Sequence, residues 1–221
     1  MEKQKILIAG GNGFVGHNIC KLASERNIAV VSISRSGKPV GIDESQYQHV
    51  EWIAADIFDP SSWKDHLEQC TAVIHSIGII EEQPEQGITY DRVIYQSAKV
   101  TADAAKEAGV PRFIYISAGG AGPDTPKGYM LAKEKAEAYI ATMGLDVVIL
   151  KPGMIYGEEQ PETMEENAKI QQLLADPKIG PHIRPHCPLH VSVIAKAVVT
   201  SILDNNISGK LNVDAIERIG G

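Results

Sequence analysis

The sequence predicts an α/β fold, a doubly wound parallel sheet with helices on both faces. Three observations carry that expectation. Short β-branched runs recur through the first two thirds of the 221 residues, they are apolar on both faces, and most are separated by stretches of helical periodicity. Strands apolar on both sides suit a sheet covered above and below. Regular alternation of strands and helices builds βαβ units.

In chain order the predicted strands are "KILIAG" (5–10), "AVVSIS" (29–34), "VEWIAAD" (50–56), "AVIHSIG" (72–78), "RFIYIS" (112–117) and "DVVILKPG" (146–153). Helical periodicity covers 14–26, 61–69, 89–108 and 128–143. The "KEAGVP" exit is typical, with Gly109 ending a helix and Pro111 keeping the chain extended into the next strand. After "KPGMIYG" the texture changes. Residues 158–190 turn acidic and then rich in proline and histidine, with one helix expected near 162–175. A last helix is expected at 191–204, followed by a short tail. The organisation expected is one domain: a core over 1–157, and over 158–221 a small substrate cap plus the last core helix.

Composition narrows the function classes. A formal charge of −7, with no Lys/Arg run longer than two, argues against nucleic acid as a partner. Three widely spaced cysteines without a CxxC fit a reducing compartment rather than a disulfide framework. The N-terminal apolar stretch is short and glycine-rich, unlike a signal peptide, and no window approaches the roughly 18 apolar residues of a membrane span. The expectation is a cytoplasmic protein, a monomer or weak homo-oligomer, acting on a small molecule.

Gly10, Gly11, Gly13 and Gly16 lie between the first strand and the first helix. Strand–turn–helix context is what gives a GxGxxG pattern meaning. One glycine permits the turn, one lets backbone approach a pyrophosphate, and Gly16 lets helix and strand pack closely. With Asn12, Phe14 and Val15 they present a helix N-terminus and its amides to the phosphates. This predicts a dinucleotide site in a Rossmann-type fold.

The second strand ends in Ser34, Arg35 and Ser36, with Lys38 beyond, where NAD-preferring sites carry a carboxylate for the ribose. A guanidinium and hydroxyls suit a 2′-phosphate. NADP(H) is therefore favoured, with NAD(H) the other candidate. The plain alternative makes Arg35 a solvated loop residue.

"AGGNGFVG", "SRSGK", "AADIFDP", "HSIGI", "FIYISA" and "KPGMIYG", in that order, resemble the short-chain dehydrogenase/reductase superfamily. The likeness is to its extended and atypical branches, the NAD-dependent epimerase/dehydratase group. Within them it is similar to the NADPH-binding accessory subunit of mitochondrial complex I and the related yeast protein of ubiquinone biosynthesis. The resemblance implies further cofactor contacts: Asp56 and Ile57 beside the adenine, His75, Ser76 and Gly78 near the ribose, and Pro152 and Gly153 bordering the nicotinamide.

It also implies a Ser–Tyr–Lys centre, with a lysine four residues after the tyrosine. That spacing puts both on one helix face, where the ammonium would lower the phenol's pKa and a serine would polarise the substrate. YxxxK occurs twice. Tyr95–Lys99 precedes the fifth strand and reads as surface decoration. Tyr129–Lys133 follows it and has Ser117 at the strand end. Ser117, Tyr129 and Lys133 are the candidate catalytic residues, and Lys133 also a cofactor anchor. The alternative leaves Lys133 serving only the ribose.

His182, His186, Cys187 and His190 have zinc-compatible chemistry, but the intervening prolines break any common face and no metal site is expected. Arg184 is open to two readings, a ligand-facing residue or a structural one. The functional expectation is an oxidoreductase or epimerase/dehydratase-like protein acting on a small or quinone-like substrate. The alternative is a non-catalytic NADPH-binding subunit or redox sensor.

Overall fold

The computed structural model describes residues 4–120 and 125–221. Seven parallel strands form the central sheet: β1 (Lys5–Ala9), β2 (Ala29–Ser34), β3 (Val50–Ala54), β4 (Ala72–His75), β5 (Arg112–Ile116), β6 (Asp146–Leu150) and, added at the far edge, β9 (Gly209–Leu211). Their order is β3-β2-β1-β4-β5-β6-β9, and every adjacent pair is parallel. The chain winds outward from β1 to β3, then returns past β1 to β4. That reversal opens a crevice at the strands' carboxyl ends, where open α/β sheets bind ligands.

Side-chain alternation sorts the sheet into two cores. Ile6, Ile8, Val30, Ile74, Ile114 and Val148 face α1 (Phe14–Glu25), α6 (Val191–Leu203) and α7 (Val213–Gly220). Leu7, Val31, Val73, Phe113, Tyr115 and Ile149 face α2 (Ser97–Glu107), α3 (Lys127–Ala141) and the irregular 60–67 segment, whose Trp63 and Leu67 are buried. Each buried Leu or Ile contributes roughly 1.5–3 kcal/mol, so both faces are needed to hold the sheet.

Three elements differ from the sequence reading. Residues 61–69 form two 3₁₀ turns, Pro60–Ser62 and Lys64–Leu67, rather than an α-helix. The 89–108 helix opens as a π-helical turn, Asp91–Gln96, before α2. The expected tail after the last helix is instead β9 and α7, so the core resumes at Val191. Between core and return lie the two-residue strands β7 (Ile155–Tyr156) and β8 (Leu189–His190), which pair with each other, and α4 (Pro161–Leu174) and α5 (Gly180–Ile183). Among the described residues no helix is long and apolar enough to cross a membrane.

Glu137 on α3 ties this edge of the sheet together. It is buried, pairs with Lys151 and with Lys210 at 2.7 Å, and accepts a hydrogen bond from Ser117 at 2.5 Å. Burial by itself would raise its carboxyl pKa, but the hydrogen bonds from Lys151, Lys210 and Ser117 outweigh it and hold the group below the usual 4.5. Glu137→Ala removes a paired buried charge and orphans the Ser117 hydroxyl, at a cost of about 3 kcal/mol. Thermal unfolding at pH 7 is expected to show a Tm lowered by several degrees. The depressed folded pKa means the contribution is whole at neutral pH and fades as pH falls below 4.5. The Tm gap between wild type and variant therefore narrows in acid.

Candidate functional site

The glycine turn is built by close approach. Gly10 sits at φ +89°, a conformation that disfavours side chains. A Cβ on Gly16 would collide with the Gly10 carbonyl oxygen and lie 2.8 Å from the Gly11 Cα. One on Gly11 would overlap the Ser32 hydroxyl under β2. Gly13 is different: its added Cβ would meet only the Gly10 carbonyl, at 3.3 Å, and otherwise open space. Gly13 is also the N-cap of α1 and provides no side-chain cap. The first-turn amides at Phe14, Val15 and Gly16 therefore have no side chain to accept from them, which leaves donors for an anion.

A cleft of about 490 Å³ opens in front of this turn. Gly10, Asn12 and Gly13 line it at the end of β1, and Ser34, Arg35 and Ser36 after β2. Asp56 and Ile57 follow after β3, then Ser76 and Gly78 after β4. Asn12 donates to the Ser36 hydroxyl at 2.6 Å, joining the glycine turn to the β2 loop. Ser34 donates to the Gly37 carbonyl at 3.0 Å, which fixes the turn that presents Arg35. Lys38 is engaged elsewhere, paired with Glu44 at 2.5 Å. Gly11, Phe14 and Val15 do not line the cleft. The cradle fits a dinucleotide: backbone laid bare where a pyrophosphate would sit, and a guanidinium where the ribose would end.

His75 departs from its expected place. It is the last residue of β4 and fully buried, with its ring between Thr101 and Ser97, each 3.2 Å away. Burial, with Lys133 adding to it, lowers its pKa to about 3, so it packs as a neutral ring against α2 rather than lining the cleft.

Pro152 and Gly153 also lie outside the cleft. The His186 and Cys187 carbonyls occupy the space a Gly153 Cβ would need, and His186 Nδ1–H donates to the Gly119 carbonyl, 3.1 Å away. The cap thus packs directly on the turn. His190 caps α6 and pairs with Glu158 at 3.1 Å. Among the described residues no group of three or more His, Cys, Asp or Glu is arranged around a metal position. Arg184 lines a separate cleft of about 200 Å³ with Tyr156, Gln171 and Glu217.

The Ser–Tyr–Lys trio is only partly assembled. Lys133 is buried on α3; it donates to the Ile116 carbonyl at 2.7 Å, and its Nζ lies over the rings of Tyr115 (5.1 Å) and Tyr129 (5.8 Å). Burial lowers its pKa to about 8, against a smaller opposing pull from Glu137. The Nζ is also 3.8 Å from where a Gly78 Cβ would stand, at the edge of the cleft.

Tyr129 is half-buried and edge-on to Tyr90, centroids 5.8 Å apart. The expected lowering of its pKa is reversed: burial, then Tyr90, raises it. Ser117 turns away, donating to Glu137. Of the loop between Ser117 and Tyr129, residues 121–124 lie outside the described residues.

The other pair, Tyr95–Lys99, is structural rather than decorative. Tyr95 packs edge-on to Tyr139, and Lys99 bridges to Asp103 at 2.7 Å. Arg92 and Phe58, which nothing in the sequence singles out, also line the main cleft. Their signal, an arginine opening a π turn 34 positions after a loop phenylalanine, exists only in three dimensions.

The fold and cleft define a Rossmann-type dinucleotide-binding protein. The model described as NAD(P)H-binding matches residues 10–178, and the chain belongs to that family. An uncharacterised chloroplastic protein of Arabidopsis thaliana, At1g32220, is 31% identical over 99% of this chain and 78% of its own. MIOREX complex component 2 of Saccharomyces cerevisiae is 31% identical over 71% of this chain and 74% of its own. Mitochondrial NADH dehydrogenase (ubiquinone) 1 alpha subcomplex subunit 9 of Mus musculus is 25% identical over 76% of this chain but only 43% of its own length. In fold, the chain resembles UDP-glucuronic acid 4-epimerase from Bacillus cereus in complex with NAD, with TM-score 0.71 at 19% identity, covering 95% of this chain and 77% of the other. It also resembles the oxidoreductase ylbE from Lactococcus lactis, with TM-score 0.69 at 22% identity, covering 98% and 96%.

The turn geometry separates two glycines. Gly13→Val is expected to leave a folded protein that has lost NADPH binding, because its side chain projects into the cleft. Gly16→Val is expected to lower the Tm sharply, because the collision is with backbone. Thermal melts alongside NADPH fluorescence titration test both. Equal stability losses in the two variants would contradict the assignment.

Proposed function

We propose that this chain is an NADP(H)-dependent oxidoreductase in which Tyr129 exchanges a proton with a small, uncharged carbonyl or quinone-like substrate. The observation that carries this reading is Lys133, buried at the cleft edge with its ammonium on the Ile116 carbonyl and beside the Tyr129 ring. A bound nicotinamide would supply or accept the hydride. Lys133 holds the cofactor's ribose and keeps a positive charge next to the phenol. The surroundings of Tyr129 are Ile79, Tyr90, Ile94 and Ala132, an apolar wall suited to an uncharged ring. Ser117 supports the α3 edge through Glu137 and takes no part in polarising the substrate.

Arg35 is the basis of the NADP(H) preference, since it lines the cleft and, among the described residues, no side chain pairs with it. Arg35→Asp is expected to weaken NADPH by about ten- to a hundredfold, as loss of a charged hydrogen bond does, while NADH binding holds. Fluorescence titration of the two cofactors reads this directly, and equal affinities in the wild type would contradict the preference.

A second reading, a cofactor-holding subunit without turnover, is favoured by the Ser117–Glu137 bond, which withdraws one member of the catalytic trio. A screen of aldehydes and quinones for NADPH oxidation separates the two. If the protein turns over, Tyr129→Phe is expected to cost roughly 10²–10⁴ in rate with NADPH affinity within a few-fold, whereas Ser117→Ala changes the rate little. Lys133→Met is expected to damage both rate and affinity. Its pKa near 8 sets the pH dependence. The ammonium is present below about 8 and lost above it, so NADPH affinity falls as pH rises through that value. The Lys133→Met variant loses that slope.

A further inference from the structure

We propose that Arg92 and Phe58 together form the adenine platform of the cleft, with the Arg92 guanidinium stacking on the base. The proposal rests on the dinucleotide reading and adds a residue to it from the opposite wall.

The cleft has two sides. One is the row of strand ends already described. The other is an arch running from the Gln83–Ile88 bridge into the π turn that precedes α2. Arg92 lies on that turn, and its guanidinium carbon sits 4.5 Å from the centroid of the Phe58 ring, which follows β3. This contact spans the two walls at the β3 end, away from the glycine turn where phosphates belong. Asp56, whose carboxylate could accept from an exocyclic amine, lines the same end, as does Ile57.

Three features mark Arg92 as more than a surface cation. It is exposed, yet among the described residues no carboxylate lies within ion-pair distance of it, although its neighbour Asp91 pairs with Lys135 at 2.6 Å. Its backbone belongs to a π turn, a helical irregularity found frequently at functional sites. That turn is held in place by Gln96 donating to Asp91 at 2.7 Å, so the position of Arg92 is fixed while its head group stays available. With one face of the planar guanidinium on Phe58, the other is what a flat heterocycle entering the cleft would meet. Stacking of this kind is indifferent to the rest of the ligand.

That indifference supplies the test. Arg35 serves a 2′-phosphate and so distinguishes NADPH from NADH, whereas Arg92 serves every adenine nucleotide equally. Titrations of NADPH, NADH, ADP and nicotinamide mononucleotide would be run on the wild type, Arg92→Ala, Arg92→Lys and Phe58→Ala, with circular dichroism melts to confirm folding. Arg92→Ala is expected to weaken NADPH, NADH and ADP by one common factor of about five- to tenfold, and to leave nicotinamide mononucleotide unchanged. Arg92→Lys, which keeps the charge and loses the plane, is expected to fall near the alanine variant. Loss confined to NADPH, or full recovery in Arg92→Lys, would make Arg92 a phosphate cation and overturn the proposal. Unchanged ADP and NADH binding in Arg92→Ala would overturn it while leaving the dinucleotide reading standing. A wild type that binds no adenine nucleotide would remove both.

Discussion

Everything at the site follows from how closely α1 can approach the end of β1. Gly16 must be glycine because the Gly10 carbonyl and the Gly11 Cα occupy the place of its side chain. Gly10 must turn at positive φ to put its carbonyl there. Once that contact is made, the axis of α1 is fixed, and its uncapped first turn faces the crevice between β1 and β4. The macrodipole and the amides then concentrate positive potential at one point. The β2 loop is tied to the same turn by the Asn12–Ser36 bond, so Arg35 inherits its position from the glycines. A local steric requirement thus sets the electrostatics of the whole nucleotide end.

The chemical end is governed by competition for side chains on α3. Tyr129, Lys133 and Glu137 follow one another at intervals of four and share a face. Glu137 is drawn into the sheet edge by Lys151, Lys210 and Ser117, which anchors the helix but commits the serine hydroxyl. Lys133 lies one turn nearer the cleft, where burial has brought its pKa down to about 8 and, among the described residues, no carboxylate bonds to it. Fold stability and site chemistry are thereby divided along one helix. The inner turn fastens it, and the outer turn carries the groups to which the proposed chemistry is assigned.

How far the sequence reveals this depends on whether a feature is local. The first six strands are legible because parallel, doubly covered strands are written as β-branched runs, and the glycine turn because its contacts lie within seven residues. β9 is not, since "GKL" carries no apolar run and becomes a strand only by adding to β6. The burial of His75 is legible from alternation. In β4, Ala72 and Ile74 face the α1 side, so Val73 and His75 must face the α2 side, under Ser97 and Thr101. The raised pKa of Tyr129 is not legible, because Tyr90, 39 positions away, supplies part of its environment.

The two ends of the site therefore differ in how they are encoded. The nucleotide end is assembled from consecutive strand termini, each fixed by its own short segment. The other end depends on segments far apart in the chain, the cap meeting the Pro152–Gly153 turn by laying the His186 and Cys187 carbonyls against Gly153. A shift of the cap would disturb the Pro152–Gly153 turn while leaving the phosphate cradle intact, because among the described residues no cap residue lines the main cleft. That separation explains physically how one dinucleotide cradle can serve proteins that differ in their chemistry. On the proposed reading the cofactor is held by the sheet, and the reaction would be decided by what meets Tyr129 beside Ile79, Tyr90 and Ile94.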